Sequence, residues 1–128
     1  MKYIFLLLYP FLFVSTLSAQ EISPYSSDNF SKLHKEGRPI ILDFHVDWCS
    51  ICRKQFEKLK EITREKLFPG LTIFKVDIEN ENELREKFNV TSLATLIILN
   101  KGREIYRTVK VTNKNELKTI IKFGLSQP

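Results

Sequence analysis

Two spacings of apolar residues recur along the chain. Ile40, Ile41, Leu42, Phe44 and Val46 follow Pro39 almost without interruption, the mark of a strand buried on both faces and central in a sheet. Cys52, Phe56, Leu59 and Ile62 instead fall at helical spacing with charges between them. No Gly or Pro occurs from Cys49 to Phe68, so the pattern predicts a long amphipathic helix stopped by Pro69-Gly70. Ser27 can cap a shorter helix that carries Phe30 and Leu33 and ends at Gly37. Leu71 to Ile78 reads as a second strand, and Asn80 with Glu83 can cap a short helix carrying Leu84 and Phe88. Thr95 to Leu99 is a third strand, turned at Lys101-Gly102 into the strand Glu104 to Val111. Asn113 with Glu116 can cap a last helix, whose Leu117, Ile120 and Ile121 form a stripe before Gly124. The polar stretch from Gln20 to Ser26, broken by Pro24, is assigned no element.

This order of elements predicts an α/β fold: a four-stranded mixed sheet flanked by helices on both faces. The strand-helix-strand unit implies parallel pairing through a right-handed crossover, and the last two strands form a hairpin. A length of 128 residues suits one domain, and 43% hydrophobic with 27% charged residues belongs to an ordinary globular chain.

The first segment does not fit that fold. Met1 and Lys2 lead into an apolar run from Tyr3 to Val14, followed by the small residues Ser15, Thr16, Ser18 and Ala19. Residues 1–19 are expected to be a signal peptide, cleaved after Ala19 or after Ser18, with residues 20–128 as the remaining domain. An uncleaved anchor helix is the alternative, but the run is short of the ~20 residues of a full span and Pro10 interrupts it. The expectation is an exported, periplasmic protein.

Net charge changes the picture little. The chain carries a formal +5, but its Lys and Arg alternate with Glu, as in Glu57, Lys58, Lys60, Glu61, Arg64, Glu65 and Lys66. That is the composition of a solvated helix face, and no nucleic-acid partner is expected.

Export decides how the two cysteines are read, because disulfides persist outside the cytosol. Cys49 and Cys52 close so short a loop that a purely structural bond between them would contribute little stability. Exchange chemistry suits the spacing better. It needs an attacking thiolate, a second thiol within reach to resolve the mixed disulfide, and access to the partner's sulfur. Cys49 at a helix start would have its pKa lowered by unpaired N–H groups and the helix dipole. Cys52, one turn later, would be the buried resolving thiol. A staple or half of a zinc site are the competing readings of a Cys-x-x-Cys. Zinc wants about four ligands, and only His34 and His45 remain as soft donors, so no metal and no cofactor is expected. His45 is read as a packed or surface histidine. Asp43 lies inside an otherwise apolar strand, where ionisation is costly; a raised pKa would let it exchange a proton with Cys52, and a satisfied structural Asp is the alternative.

The segment Asp43-Phe44-His45-Val46-Asp47-Trp48-Cys49-Ser50-Ile51-Cys52-Arg53 resembles the active-site segment of thioredoxins. Lys75-Val76-Asp77-Ile78 resembles the strand that follows it, and Phe88 to Thr95 the segment that usually carries a glycine and a cis-proline. The exported context and the Asp-Trp-Cys-x-x-Cys-Arg opening are closest in appearance to the C-terminal thioredoxin-like domain of the transmembrane reductase DsbD. The likeness covers Pro39 to Phe123 and implies the thioredoxin fold. It also implies a protein-disulfide reductase that works as a monomer on protein disulfides with a thiol electron donor, for which a membrane reductase is one candidate. Carried over, it makes Trp48 the aromatic flank of the pair and Asp43 the carboxylate beneath it. Ser50 and Ile51 become the variable pair, and Leu93, Ala94 and Thr95 the docking loop. Lys75 becomes a member of the proton network, with a solvent-facing lysine as the alternative.

Four departures qualify the likeness. Ala94 replaces the usual proline, so the Leu93–Ala94 peptide is either cis, at a cost of ~2.5–4 kcal/mol, or trans with a reshaped loop. Ser92 and Lys110 stand where glycines are usual, and Ser50-Ile51 replaces Gly-Pro. A non-enzymatic binding module with a passive disulfide is the rival function these changes suggest; metal delivery by the paired thiols is a third.

Overall fold

In the computed structural model, which describes Pro10 and residues 20–128, β1 (Glu21–Pro24) is followed by α1 (Ser27–Lys35), β2 (Ile40–His45) and α2 (Ser50–Arg64). Then come β3 (Thr72–Asp77), α3 (Asn82–Lys87), β4 (Thr95–Asn100), β5 (Arg103–Val109) and α4 (Lys114–Ser126). The expected signal peptide, Pro10 apart, lies outside the described residues. The sheet runs β1-β3-β2-β4-β5; β1 and β2 both pair parallel with β3, whereas β4 is antiparallel to β2 and to β5.

The period of two along β2 divides the core. Ile40, Leu42 and Phe44 point to the side of α1 and α3, where they pack with Phe30, Phe74, Val76 and Leu84. Ile41 points to the side of α2 and α4, with Leu59, Ile62, Ile73, Leu117 and Ile121. Asp43 and His45 share the second face by alternation, and that is the face carrying the chemistry.

The sheet has five strands where four were expected. Gln20 to Ser26 was too polar and too short to read as a strand, yet Glu21–Pro24 pairs with Thr72–Lys75, and Ile22 packs into the α2/α4 core. Pro24 is admissible because β1 is an edge. Ends differ as well. Ser26, not Ser27, caps α1, its Oγ accepting the Asn29 N–H at 3.3 Å. α2 stops at Arg64, short of Phe68, where Lys66 turns left-handed at φ 53°. Asn80 spends its side chain on Asp77 Oδ2 at 3.0 Å, so α3 starts later, behind Glu81, which makes no side-chain cap bond.

The cap at Asn113 forms as expected, its Oδ1 accepting from Glu116 N at 3.0 Å. Gly124 does not end α4. It lies inside the helix, and a Cβ built there would stand 2.9 Å from Ile98 Cγ2, so glycine serves close packing on the sheet. At the hairpin, Lys101 (φ 53°) and Gly102 (φ 76°) are both left-handed, the turn that matches strand twist.

Candidate active site

β2 ends at His45 and the chain turns through Val46-Asp47-Trp48 into α2. Two bonds hold that turn: Cys49 N–H donates to Val46 O at 3.2 Å, and Arg53 Nη1 reaches back to Asp47 O at 2.8 Å. Cys49 is the N-cap of α2, and its Sγ accepts the Cys52 N–H at 3.2 Å. A sulfur in this place takes a free amide hydrogen and sits at the positive end of fifteen helical residues, which favours a thiolate. Cys52, one turn on, is bonded to Cys49 with Cα atoms 5.2 Å apart.

The two sulfurs differ in access. Cys52 is 2% exposed, whereas Cys49 is partly open and is flanked by Trp48 (72% exposed), Ser50 and Ile51, all at the surface. A disulfide whose leading sulfur is reachable and whose second is covered can exchange with a client in one order only. Trp48 is held from the opposite turn, where its indole N–H donates to Glu79 Oε1 at 3.0 Å; Glu79 N–H in turn donates to Asp77 Oδ1 at 2.9 Å.

Asp43 is fully buried on the α2 side of β2, and neither carboxylate oxygen has a hydrogen-bond partner. Burial raises its pKa from 3.8 to about 7, against the opposing pull of the Lys75 ammonium. Lys75 is its register partner on β3. The lysine does not simply face solvent: it is half-buried, with Nζ 4.2 Å from the centre of the Phe56 ring.

The Leu93–Ala94 peptide is cis, which answers the alternative that Ala94 posed. Ala94 is buried, and its carbonyl accepts from Lys110 N at 2.9 Å and from Gln55 Nε2 at 3.4 Å. Thr95 Oγ1 closes the loop by donating to Ser92 O at 2.6 Å. Lys110 adopts φ 63°, a conformation that explains why glycine is the easier residue there.

Two residues of this region escaped the sequence reading. Gln55, fully buried on α2 three residues past Cys52, bonds Val111 O at 3.1 Å as well as Ala94 O, tying α2 to the Ala94 loop. Its signal was a polar residue within an apolar stripe. Glu79 left no signal, because it meets Trp48 only through the fold. His45, expected as a packed or surface histidine, is buried, 7% exposed, beside a cleft of about 340 Å³ that Cys52, Phe56 and Lys75 also line. Among the described residues, no group of three or more His, Cys, Asp or Glu side chains is arranged to hold a metal.

A mixed sheet with an accessible N-cap cysteine, its mate a turn behind and a buried carboxylate under the same face is the architecture of a dithiol exchange protein. The thioredoxin family matches residues 21–123, and the chain belongs to that family. It is 32% identical over 96 residues to thioredoxin of Chlamydia trachomatis, covering 75% of this chain and 91% of that one. With the H-type thioredoxin of Fagopyrum esculentum it shares 31% over 91 residues, 71% of this chain and 76% of the relative. The solved structure of Trxlp from Edwardsiella tarda superposes with a TM-score of 0.74 at 27% identity, over 80% of this chain and 98% of that one. The protein is a thiol-disulfide oxidoreductase of thioredoxin type, acting on protein disulfides with a reductant partner.

Proposed function

We propose that the chain is an exported protein-disulfide reductase in which Cys49 attacks, Cys52 resolves and Asp43 handles the proton. The observation that carries this reading is the asymmetry of the pair: Cys49 is partly open, with its Sγ on the Cys52 amide, and Cys52 is covered. Reduced Cys49, as thiolate, displaces one sulfur of a client disulfide. Cys52 loses its proton to the Asp43 carboxylate and attacks Cys49, closing the Cys49–Cys52 bond and releasing the second client sulfur. Trp48, Ser50, Ile51 and Leu93 form the docking surface, Ala94 and Thr95, which are buried, shape it from beneath, and Lys75 balances Asp43 when it ionises. Cys49→Ser abolishes insulin-disulfide reduction, and Cys52→Ser accumulates mixed disulfides on a nonreducing gel; full turnover by Cys49→Ser rejects the reading.

Export rests on residues 1–19, with Lys2 before the apolar run and small residues at its end. Residues 20–128 then act as a monomer outside the cytosol, recharged by a membrane reductase of the kind whose C-terminal domain the active-site segment resembles. N-terminal sequencing of the protein recovered from the host tests the first step: a chain beginning at Gln20 or Ala19 agrees, and intact Met1 in the cytosolic fraction rejects it. Oxidised protein that stays oxidised beside such a reductase rejects the second.

A further inference from the structure

His45 has its two ring nitrogens in different worlds. Nδ1 is buried without a hydrogen-bond partner, and Nε2 lies 3.8 Å from Oδ1 of Asp47, a carboxylate almost fully in solvent. On β2 the imidazole follows Asp43 by two residues, so the side chains leave the same face of the strand about 7 Å apart. Asp43 also has two buried oxygens without partners. The cleft that His45 lines opens to solvent past Asp47, Arg53 and Glu57, and Cys52 forms part of its wall.

From this geometry we infer that His45 is a positioning residue for the resolving step, carrying the proton of Cys52 from Asp43 out to solvent. This rests on the role proposed above for Asp43. In the step, Cys52 Sγ gives its proton to Asp43 and its electron pair to Cys49 Sγ. The bond between Cys49 and the client sulfur breaks, and the client leaves as a thiolate. Asp43 and Nδ1 of His45 do not contact each other, so Asp43 is restored when a water molecule entering between them carries its proton to Nδ1 while the proton on Nε2 leaves at Asp47. A fully buried carboxylate cannot hand its proton to bulk water directly, and an imidazole relays protons in the range where such an enzyme works. The charges around His45 are mixed: Asp47 on its own turn, Lys75 on β3 with Asp77, the register partner of His45, and Arg53 and Glu57 on α2. β4 brings none, since Thr95–Asn100 contains no ionisable side chain.

The test follows resolution of the mixed disulfide that the reduced, full-length protein forms with one equivalent of dithiobis-nitrobenzoate, the second release of thionitrobenzoate reporting the attack of Cys52 on Cys49. Resolution is measured from about pH 5 to about pH 9 for wild type, His45→Gln, Asp47→Asn and Asp43→Asn. In His45→Gln the rate near neutral pH is expected to fall roughly tenfold, less than the hundredfold or more of direct acid–base assistance because His45 acts through Asp43, and added imidazole to restore it. Asp47→Asn, an exposed change, removes the carboxylate at the outer end of the relay and is expected to slow resolution severalfold near neutral pH while leaving the melting temperature unchanged. A His45→Gln profile that overlays wild type, or a slowed one that imidazole leaves unchanged, overturns the relay. If Asp43→Asn resolves as fast as wild type, the role of Asp43 fails; if it is slow while His45→Gln is normal, only the relay fails.

Discussion

Asp43 and Lys75 stand opposite each other in the β2–β3 register, on the face that α2 covers, and only the lysine reaches the cleft. The carboxylate is wholly enclosed and the ammonium is pinned over Phe56, so the pair is too unequal in solvation to act as a salt bridge. Desolvation prevails over the attraction, and the Asp43 pKa rises to about 7. The carboxyl group binds its proton more tightly folded than unfolded. Its contribution to stability is therefore complete below about pH 4 and is lost as the pH rises through 7. The gap between 3.8 and about 7 corresponds to a loss on the order of 4 kcal/mol. Asp43→Asn removes that dependence. Urea unfolding of the oxidised protein should show the variant about as stable as wild type near pH 4 and several kcal/mol more stable above pH 8. Parallel curves across that range would count against a buried, protonated Asp43.

Trp48 is the one tryptophan in the chain, so its emission reports the bond to Glu79 without background. The ring is mostly exposed and its partner lies on the surface, which limits what the bond adds to stability to about 1 kcal/mol or less. Glu79→Ala should leave the melting temperature nearly unchanged, lower the anisotropy of Trp48 and raise KM for a protein disulfide, as the aromatic flank loses its fixed pose. Unaltered anisotropy would show that the turn alone holds the ring.

Much of this site was legible in the residues because it is local. Cys49, Cys52, Trp48 and Asp43 fall within ten positions of one strand-to-helix junction, where period and capping rules suffice. What escaped is held by distance or by competition. Glu79 is 31 positions from Trp48, and Asn80 was read as a cap although Asp77 claims its side chain. The edge strand Glu21–Pro24 has only Ile22 to announce it, and its pairing with β3 outweighs its weak local preference. Gly124 read as a stop because sequence does not show that Ile98 lies against it.

Gln55 joins α2 to both Ala94 and Val111, and its Oε1 is buried without a partner. Gln55→Leu therefore removes two bonds, which costs about 1–3 kcal/mol, and also removes an unpaired acceptor, which offsets part of that cost. A net loss of roughly 1 kcal/mol is expected. The larger effect falls on docking, since the Ala94 carbonyl keeps only the Lys110 N–H at 2.9 Å. KM for a protein disulfide should rise while the rate with a small disulfide such as dithiobis-nitrobenzoate stays within about twofold. Equal losses with both substrates would place the effect in the redox helix instead.

Lys110 holds a left-handed backbone at φ 63° next to the Ala94 loop, a conformation that disfavours a side chain by about 1 kcal/mol. Lys110→Gly relieves that cost, though glycine also gives the unfolded chain more freedom, which returns part of the gain. Stability should change by less than about 1 kcal/mol in either direction. Access changes more, because the lysine side chain is exposed beside the Ala94 loop and its removal opens a path for a bulky client. Insulin reduction should speed up while reduction of a small disulfide does not. If both rates stay level, Lys110 does not stand in the client's way.

Gly124 sets two effects of opposite sign against each other. Alanine inside α4 would gain about 1 kcal/mol in helix propensity. Its Cβ would meet Ile98 Cγ2 at 2.9 Å and Cδ1 at 3.1 Å. Cγ2 is attached at the branch point and cannot swing away without moving β4, so the overpacking cost of about 1–3 kcal/mol prevails. Gly124→Ala should destabilise the protein by roughly 1 kcal/mol in urea unfolding. Ile98→Val in the same chain removes Cδ1 but keeps the branch, so it should recover only part of the loss; complete recovery would put the clash at the tip of the side chain rather than at its root.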